Sequence, residues 1–366
     1  MKKIMTVRGA IEPSELGFTS MHEHVLTNAD FYMEDFVPAF GEPPISAFPA
    51  AQDAPVIMED LAYLNSGYFV RSHDNWDLND ETLMMAEVGD FKASGGGAIL
   101  ECSAPGIRGD VQGMKRISEQ KDVHIIASTG LYAEKSWPKR FNGMTQQQFA
   151  DDMLGEINHG MDGTDIKPGQ IKVASNGNTE RQLQFLTAAA NVSSQTDIMV
   201  TAHLGIGTDQ GDSRVVYETL LAGGMNPERL LLCHFQGNVQ NTHLDELLTD
   251  PSAWAPQLDY AREVLDLGIN ICFDCFGQTW STEAIGSVAE NDSYKIAAIY
   301  QLIQEGYGEQ MVVGTDVFQK IMTRRYGGHG YVRLQNYVVP MLQGIGVSEE
   351  QIARLTVTSP ARLLAF

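Results

Sequence analysis

Six ionisable side chains of this chain have the types and placement to gather around metal ions. His22 and His24 flank Glu23 just after the short apolar stretch Leu16-Gly17-Phe18-Thr19. Alternate side chains of a strand share a face, so the two imidazoles project together and Glu23 turns away. Lys172 lies inside the apolar run Gln170-Ile171-Lys172-Val173. His203 ends Val200-Thr201-Ala202-His203, His234 ends Leu231-Leu232-Cys233-His234, and Asp316 ends Val313-Gly314-Thr315-Asp316. Imidazole and carboxylate suit zinc, manganese, iron or cobalt. An ammonium cannot ligate, and burying one without a partner is costly. A lysine carbamylated by carbon dioxide becomes a bidentate, carboxylate-like ligand; that reaction needs the neutral amine, which burial beside apolar neighbours favours. Each residue also has a plain structural reading: a pair of core histidines, a lysine snorkelling from a rim, an aspartate capping a loop. The fold decides between them.

Eight short apolar runs are the elements that must position these groups. They are Gly17–Ser20, Ala98–Cys102, His124–Ser128, Ile171–Ala174, Ile198–Ala202, Leu230–Cys233, Ile269–Phe273 and Met311–Gly314. Most are rich in Val, Ile and Leu without polar alternation, the pattern of parallel strands buried on both faces. Amphipathic patterns at Asp80–Ala93, Glu180–Gln195 and Asn291–Gly306 predict helices between them, and Ser94-Gly95-Gly96-Gly97 and Gly223-Gly224 sit where helices should stop. Eight βα units predict an α/β fold, a (β/α)8 barrel, in which the C-terminal strand ends converge on one site. A doubly wound sheet would want a glycine fingerprint after the first strand, and none is there. The chain reads as one barrel domain, residues 1–366. Residues 27–76, holding Pro38, Pro43, Pro44, Pro49 and Pro55, form a long insertion after strand 1 and should lie over the C-terminal face. A second irregular stretch, Asp316–Tyr331, carries Lys320, Arg324, Arg325 and the glycine-rich segment around His329.

Bulk composition narrows the function classes. The 366 residues carry 25 Lys+Arg against 47 Asp+Glu, a net charge of −22. An acidic surface argues against nucleic acid and anionic membrane as partners, and leaves a small-molecule substrate. Met1-Lys2-Lys3-Ile4-Met5 starts basic, but Arg8, Glu12 and Glu15 interrupt the apolar core a secretory signal needs. No apolar run approaches the ~20 residues of a membrane span. Cys102, Cys233, Cys272 and Cys275 read as reduced, buried thiols of a cytoplasmic enzyme; Cys272 and Cys275 form a C-x-x-C with no second pair for a zinc knuckle.

Taken in order, His22-Glu23-His24, Ile171-Lys172-Val173-Ala174, Thr201-Ala202-His203, Cys233-His234, Gly314-Thr315-Asp316 and the ending Thr356-Val357-Thr358-Ser359-Pro360-Ala361-Arg362 resemble the phosphotriesterase-like branch of the amidohydrolase superfamily, which includes lactonases. The resemblance spans nearly the whole chain. It implies a distorted TIM barrel with two divalent metals, usually zinc. By position, His22, His24 and Asp316 would hold the buried metal, His203 and His234 the more exposed one, and N6-carboxylysine at Lys172 would bridge them with a hydroxide. Lys172 and Asp316 would be the catalytic residues, Asp316 carrying the hydroxide's proton towards the leaving group. The reaction implied is hydrolysis of a lactone or carboxylic ester, with a sugar lactone or its phosphate in view. The alternatives are an organophosphate triester hydrolase, a mononuclear deaminase-type enzyme and a catalytically idle, ligand-binding barrel. Family members are commonly homodimers.

Substrate residues transfer less directly. Tyr132, in Thr129-Gly130-Leu131-Tyr132, could aim its hydroxyl at a substrate carbonyl. Arg324 and Arg325 could hold a phosphate or carboxylate, which favours an acidic lactone over an apolar triester. Glu101 ends the second strand; some amidohydrolases use a glutamate where Lys172 stands, so Glu101 reads as a residue behind the site or against substrate. Trp76, Tyr68 and Phe69 would line a lid or anchor the insertion. His73, His124, His159 and His243 read as structural or exposed, and His329 lies near the site.

Overall fold

Each apolar run expected to be a strand is one in the computed structural model, which describes residues 2–33, 54–65, 72–175, 177–204, 210–239, 248–278 and 291–366. An antiparallel hairpin, β1 (Ile4–Thr6) and β2 (Gly9–Ile11), precedes the barrel. The barrel strands are β3 (Phe18–Glu23), β4 (Gly96–Glu101), β5 (His124–Ile126), β6 (Ser128–Gly130), β7 (Gln170–Ser175), β8 (Val200–Leu204), β9 (Leu230–Cys233), β10 (Asn270–Phe273) and β11 (Met311–Val313). They pair in parallel as β3-β4-β5 and β6-β7-β8-β9-β10-β11. The expected third strand is thus split at Ala127: its first half pairs with β4 and its second with β7. Register shifts between β3 and β4 add to the distortion of the (β/α)8 barrel.

Alternation inside the strands explains why near-continuous apolar runs carry isolated polar residues. Ile171, Val173, Val200, Ala202, Leu230, Leu232, Ile271 and Phe273 pack outward with the helices. Met21, Leu100, Cys102, Ile126, Met199, Leu231, Cys233, Cys272 and Val312 fill the barrel interior. Lys172 alternates with Ile171 and Val173, so it belongs to the interior.

Closure falls to the residue between the two histidines. The Glu23 carboxylate accepts from Thr315 N (2.8 Å), Thr315 Oγ1 (2.6 Å) and Val317 N (3.0 Å). Beside it, Asp316 N donates to His22 O at 2.9 Å. The side chain turned away from the two imidazoles therefore joins the first strand to the last and sets Asp316 against His22.

The expected helices form as Glu81–Ala93, Glu180–Thr196 and Asp292–Gln304. Two start one residue late, because Asp80 and Asn291 are caps whose side chains accept from the first-turn amides. Gly95 and Gly224, at φ +93° and +89°, lie just past helix ends as expected. The ends of the 27–76 insertion are tied together: Leu78 N donates to Thr27 O (2.9 Å) and Ala29 N to Trp76 O (3.2 Å). Trp76 is fully buried and anchors the segment; Pro38, Pro43, Pro44, Pro49, Tyr68, Phe69 and His243 lie outside the described residues. Among the described residues no helix is long and apolar enough to cross a membrane.

Candidate metal centre

The strand ends bring together all six residues singled out for metal chemistry. His24 Nε2 lies 3.2 Å and His22 Nε2 3.5 Å from Asp316 Oδ1. Lys172 Nζ is 3.5 Å from His22 Nε2. His234 Nε2 is 2.7 Å from His203 Nδ1, and the His22 and His234 rings lie 4.7 Å apart. These groups come from β3, β7, β8, β9 and the turn after β11. His22, His24 and Asp316 form a set whose ligand atoms are close enough to share one ion, as do His22, His234 and Asp274.

The unused atoms fit a cation. The other nitrogens of the first pair are engaged: His22 Nδ1 meets Asp274 Oδ2 at 2.8 Å and His24 Nδ1 meets Ser103 Oγ at 2.8 Å. Their Nε2 atoms are left facing Asp316 Oδ1, which is buried and has no hydrogen-bond partner. A buried acceptor facing imidazole nitrogens, with no hydrogen bond made, is the arrangement an ion satisfies. Burial lowers His24 to about 4 and His203 well below its ordinary value, so both keep a lone pair at neutral pH. Burial pushes the Asp316 carboxyl up, but His22, His24 and His234 outweigh it and hold it below the carboxylate range.

Three left-handed non-glycine residues lie at the same place. His234, Cys275 and Asp316 have φ of 56°, 56° and 52° at the ends of three successive strands. Left-handed backbone at a non-glycine residue costs about 1–3 kcal/mol. It persists only where the surroundings over-determine it, and here each such residue sits in the cluster.

The pattern of the phosphotriesterase family matches residues 2–364. The chain belongs to the phosphotriesterase family. Human N-acetyltaurine hydrolase is 30% identical to it over 373 positions, covering all of this chain and 98% of that protein. A resiniferatoxin-binding protein from Rhodobacter sphaeroides has the same fold, with a TM-score of 0.83 at 28% identity, covering 99% and 94% of the two chains. A lactonase from Listeria monocytogenes superposes at 0.71 with 22% identity, covering 99% and 98%; at that identity the likeness is one of fold.

Beside this phosphotriesterase-family centre, Tyr132 stands where the sequence placed it. Its hydroxyl is 3.2 Å from His203 Nδ1 and accepts from Tyr32 OH at 3.1 Å. Tyr32 OH is also 3.2 Å from His203 Nε2. Phe31 stacks on Tyr32, which leads through Trp76 to Phe318 and so to His24, with ring centroids 4.2 to 6.3 Å apart. One wall of the site is therefore aromatic.

Two expectations need correction, one at the arginines and one at Lys172, while two others hold. Arg324 and Arg325 are engaged by acids of the 81–93 helix: Arg324 Nη1 lies 2.6 Å from Asp90, and Arg325 Nη1 lies 3.1 Å from the buried Glu87 and close to Asp90. Their guanidiniums tie the loop after β11 to that helix. Glu101 lies behind the site, the first of its two readings: it is fully buried and accepts from the Ser103 and Val25 amides, bracing β3 against β4; burial lifts it to about 7. At Lys172 burial does act to lower the ammonium, but the acidic groups of Cys102, Cys233, Asp316 and Asp274 outweigh it and the net shift is upward. The four cysteines are buried and free, as read from the sequence, and the C-x-x-C is no unit: Cys272 points into the barrel core, while Cys275 Sγ lies 3.4 Å from Asp316 Oδ2.

Asp274 is the residue the sequence reading missed. Its Oδ2 takes His22 Nδ1 and the His234 amide (3.0 Å), and its Oδ1 takes His234 Nδ1 at 2.8 Å. One carboxylate thus sets the tautomer and orientation of two histidines. The signal was present: Asp274 follows the apolar run Ile269–Phe273 just as Asp316 follows its own strand.

Proposed function

We propose that this chain is a binuclear metal-dependent hydrolase that cleaves an acyl bond, with a small N-acyl amide as its preferred substrate class and a lactone or carboxylic ester as the second. The convergence of His22, His24, Lys172, His203, His234 and Asp316 carries the reaction type. The end-to-end similarity to N-acetyltaurine hydrolase favours the amide. The engagement of Arg324 and Arg325 elsewhere removes the reason for preferring a phosphorylated or acidic lactone, and the aromatic wall suits a compact apolar acyl group.

His22, His24 and Asp316 would hold one ion, His203 and His234 the other, and Lys172, as its carbamate, would join the two. Zinc suits this donor set, and manganese, cobalt or iron also fit it. When bound, the ions would supply an acidified water and polarise the scissile carbonyl. The chain's own part follows from the geometry. Asp316, kept ionised, accepts the attacking water's proton through Oδ2 and passes it to the leaving nitrogen or oxygen. Asp274, bonded to both Nδ1 atoms, would aim both Nε2 atoms into the cluster. The Tyr132 hydroxyl, which accepts from Tyr32, would donate to the acyl oxygen.

A substrate panel on zinc-, manganese- or cobalt-loaded protein tests this. N-acetylated amino acids and aminosulfonates should give the highest kcat/KM, lactones a lower value and aryl phosphotriesters the lowest. Activity on triesters alone would overturn the proposal; the highest rate on lactones would restore the ester reading.

A further inference from the structure

The 274–277 turn after β10 carries the Asp274 carboxylate, and its backbone turns left-handed twice. Cys275 is left-handed at φ 56°, and Gly277 has φ +87°. A Cβ at 277 would fall 2.5 Å from the His329 ring, so the turn and the loop after β11 are packed without spare room. Such a turn holds its shape only if something outside it fixes the backbone.

Two residues of the first turn of the 292–304 helix do so. Lys295 is fully buried, and its Nζ donates to the carbonyls of Asp274 (3.0 Å) and Cys275 (2.6 Å), with the Phe276 ring 5.0 Å away. Asp292 accepts the Gly277 amide on both oxygens (2.9 and 3.1 Å) and binds Arg333 Nε and Nη2 at 3.0 and 2.7 Å. Lys295 and Asp292 are themselves 3.7 Å apart. One side chain grips the acceptors of the turn and the other grips a donor. A wholly buried ammonium is expensive and persists where its hydrogen bonds fix something. Here they fix the two carbonyls that decide where the Asp274 side chain points.

We propose that Lys295 is a positioning residue of the metal centre, acting with Asp292 to hold the 274–277 turn so that Asp274 meets His22 and His234 at once. The proposal rests on the reading of those histidines as ligands only for its metal readout.

The test uses metal-stripped, [15N]histidine-labelled full-length protein. His22 and His234 should give two downfield Nδ1–H resonances, assigned by their loss in Asp274→Asn. In Lys295→Met both should shift or broaden while unfolding stays cooperative, and chelator competition should show zinc held about tenfold or more weaker. Lys295→Arg, which keeps donors and charge, should recover them in part. Unchanged resonances in Lys295→Met, whatever its Tm, would overturn the proposal. Should that variant fail to fold, the same resonances are read in Asp292→Asn, where a shift supports the proposal and none overturns it. These signals are recorded without metal, so a wild-type protein that takes up no zinc would defeat the proposed function while Lys295 is still decided.

Discussion

Lys172→Ala is expected to fold, to lose at least one of two bound ions and to lose ~10²-fold or more in kcat, the scale seen when support for a metal is removed. Lys172 is fully buried in the barrel interior, and 3.5 Å separates its Nζ from His22 Nε2. Alanine leaves a void but no buried charge, so folding should survive. A permanent cation beside two imidazole clusters would oppose metal uptake; a carbamate would favour it. Burial pulls the Lys172 ammonium down, but the acidic groups of Cys102, Cys233, Asp316 and Asp274 push it up on balance. A carbamate at Lys172, as proposed above, would then be favoured when metal enters and the local field turns positive. Metal uptake by wild-type protein should accordingly speed up with added bicarbonate, and uptake by Lys172→Ala should not respond. Atomic-emission metal analysis of both proteins, with and without bicarbonate, reads this directly.

Gly130→Ala is expected to destabilise the chain by about 2–4 kcal/mol, and to cut activity in whatever fraction folds. Gly130 ends β6 at φ +100°, where a side chain is strained. A Cβ there would fall on the Lys172 carbonyl oxygen of β7, a backbone atom that cannot move aside alone. The Leu131 amide bonds that same carbonyl at 3.1 Å. Relief must shift the strand carrying Lys172, so stability and metal binding should fall together. Thermal unfolding in the presence of chelator measures the first. A variant with wild-type Tm and metal content would show that β6 and β7 are looser than their packing implies.

The strands were legible because barrel strands buried on both faces leave near-continuous apolar runs. The candidate metal site was legible because Lys172, His203, His234 and Asp316 interrupt or end those runs, where polarity needs a reason. Asp274 was missed since its role is indirect: it touches rings, and only three-dimensional proximity reveals that one carboxylate serves residues 22 and 234. Arg324 and Arg325 misled for a related reason. Their loop does follow the last strand, but Glu87 and Asp90, far away in sequence, draw them towards a helix. Glu101 was rightly placed at a strand end, yet its carboxylate points at the Val25 and Ser103 amides. Side-chain direction beyond a strand end is set by partners that no local pattern encodes. Glu23 shows the reverse: alternation alone turned it away from His22 and His24, and that is where it closes the barrel.

The most direct test is the metal count of wild-type protein reconstituted with zinc and bicarbonate and freed of excess ion. Two ions per chain, falling to one or none in Lys172→Ala, is the result expected of a binuclear centre bridged by that residue. One ion per chain at saturation, unchanged by Lys172→Ala, would contradict it and point to a mononuclear enzyme.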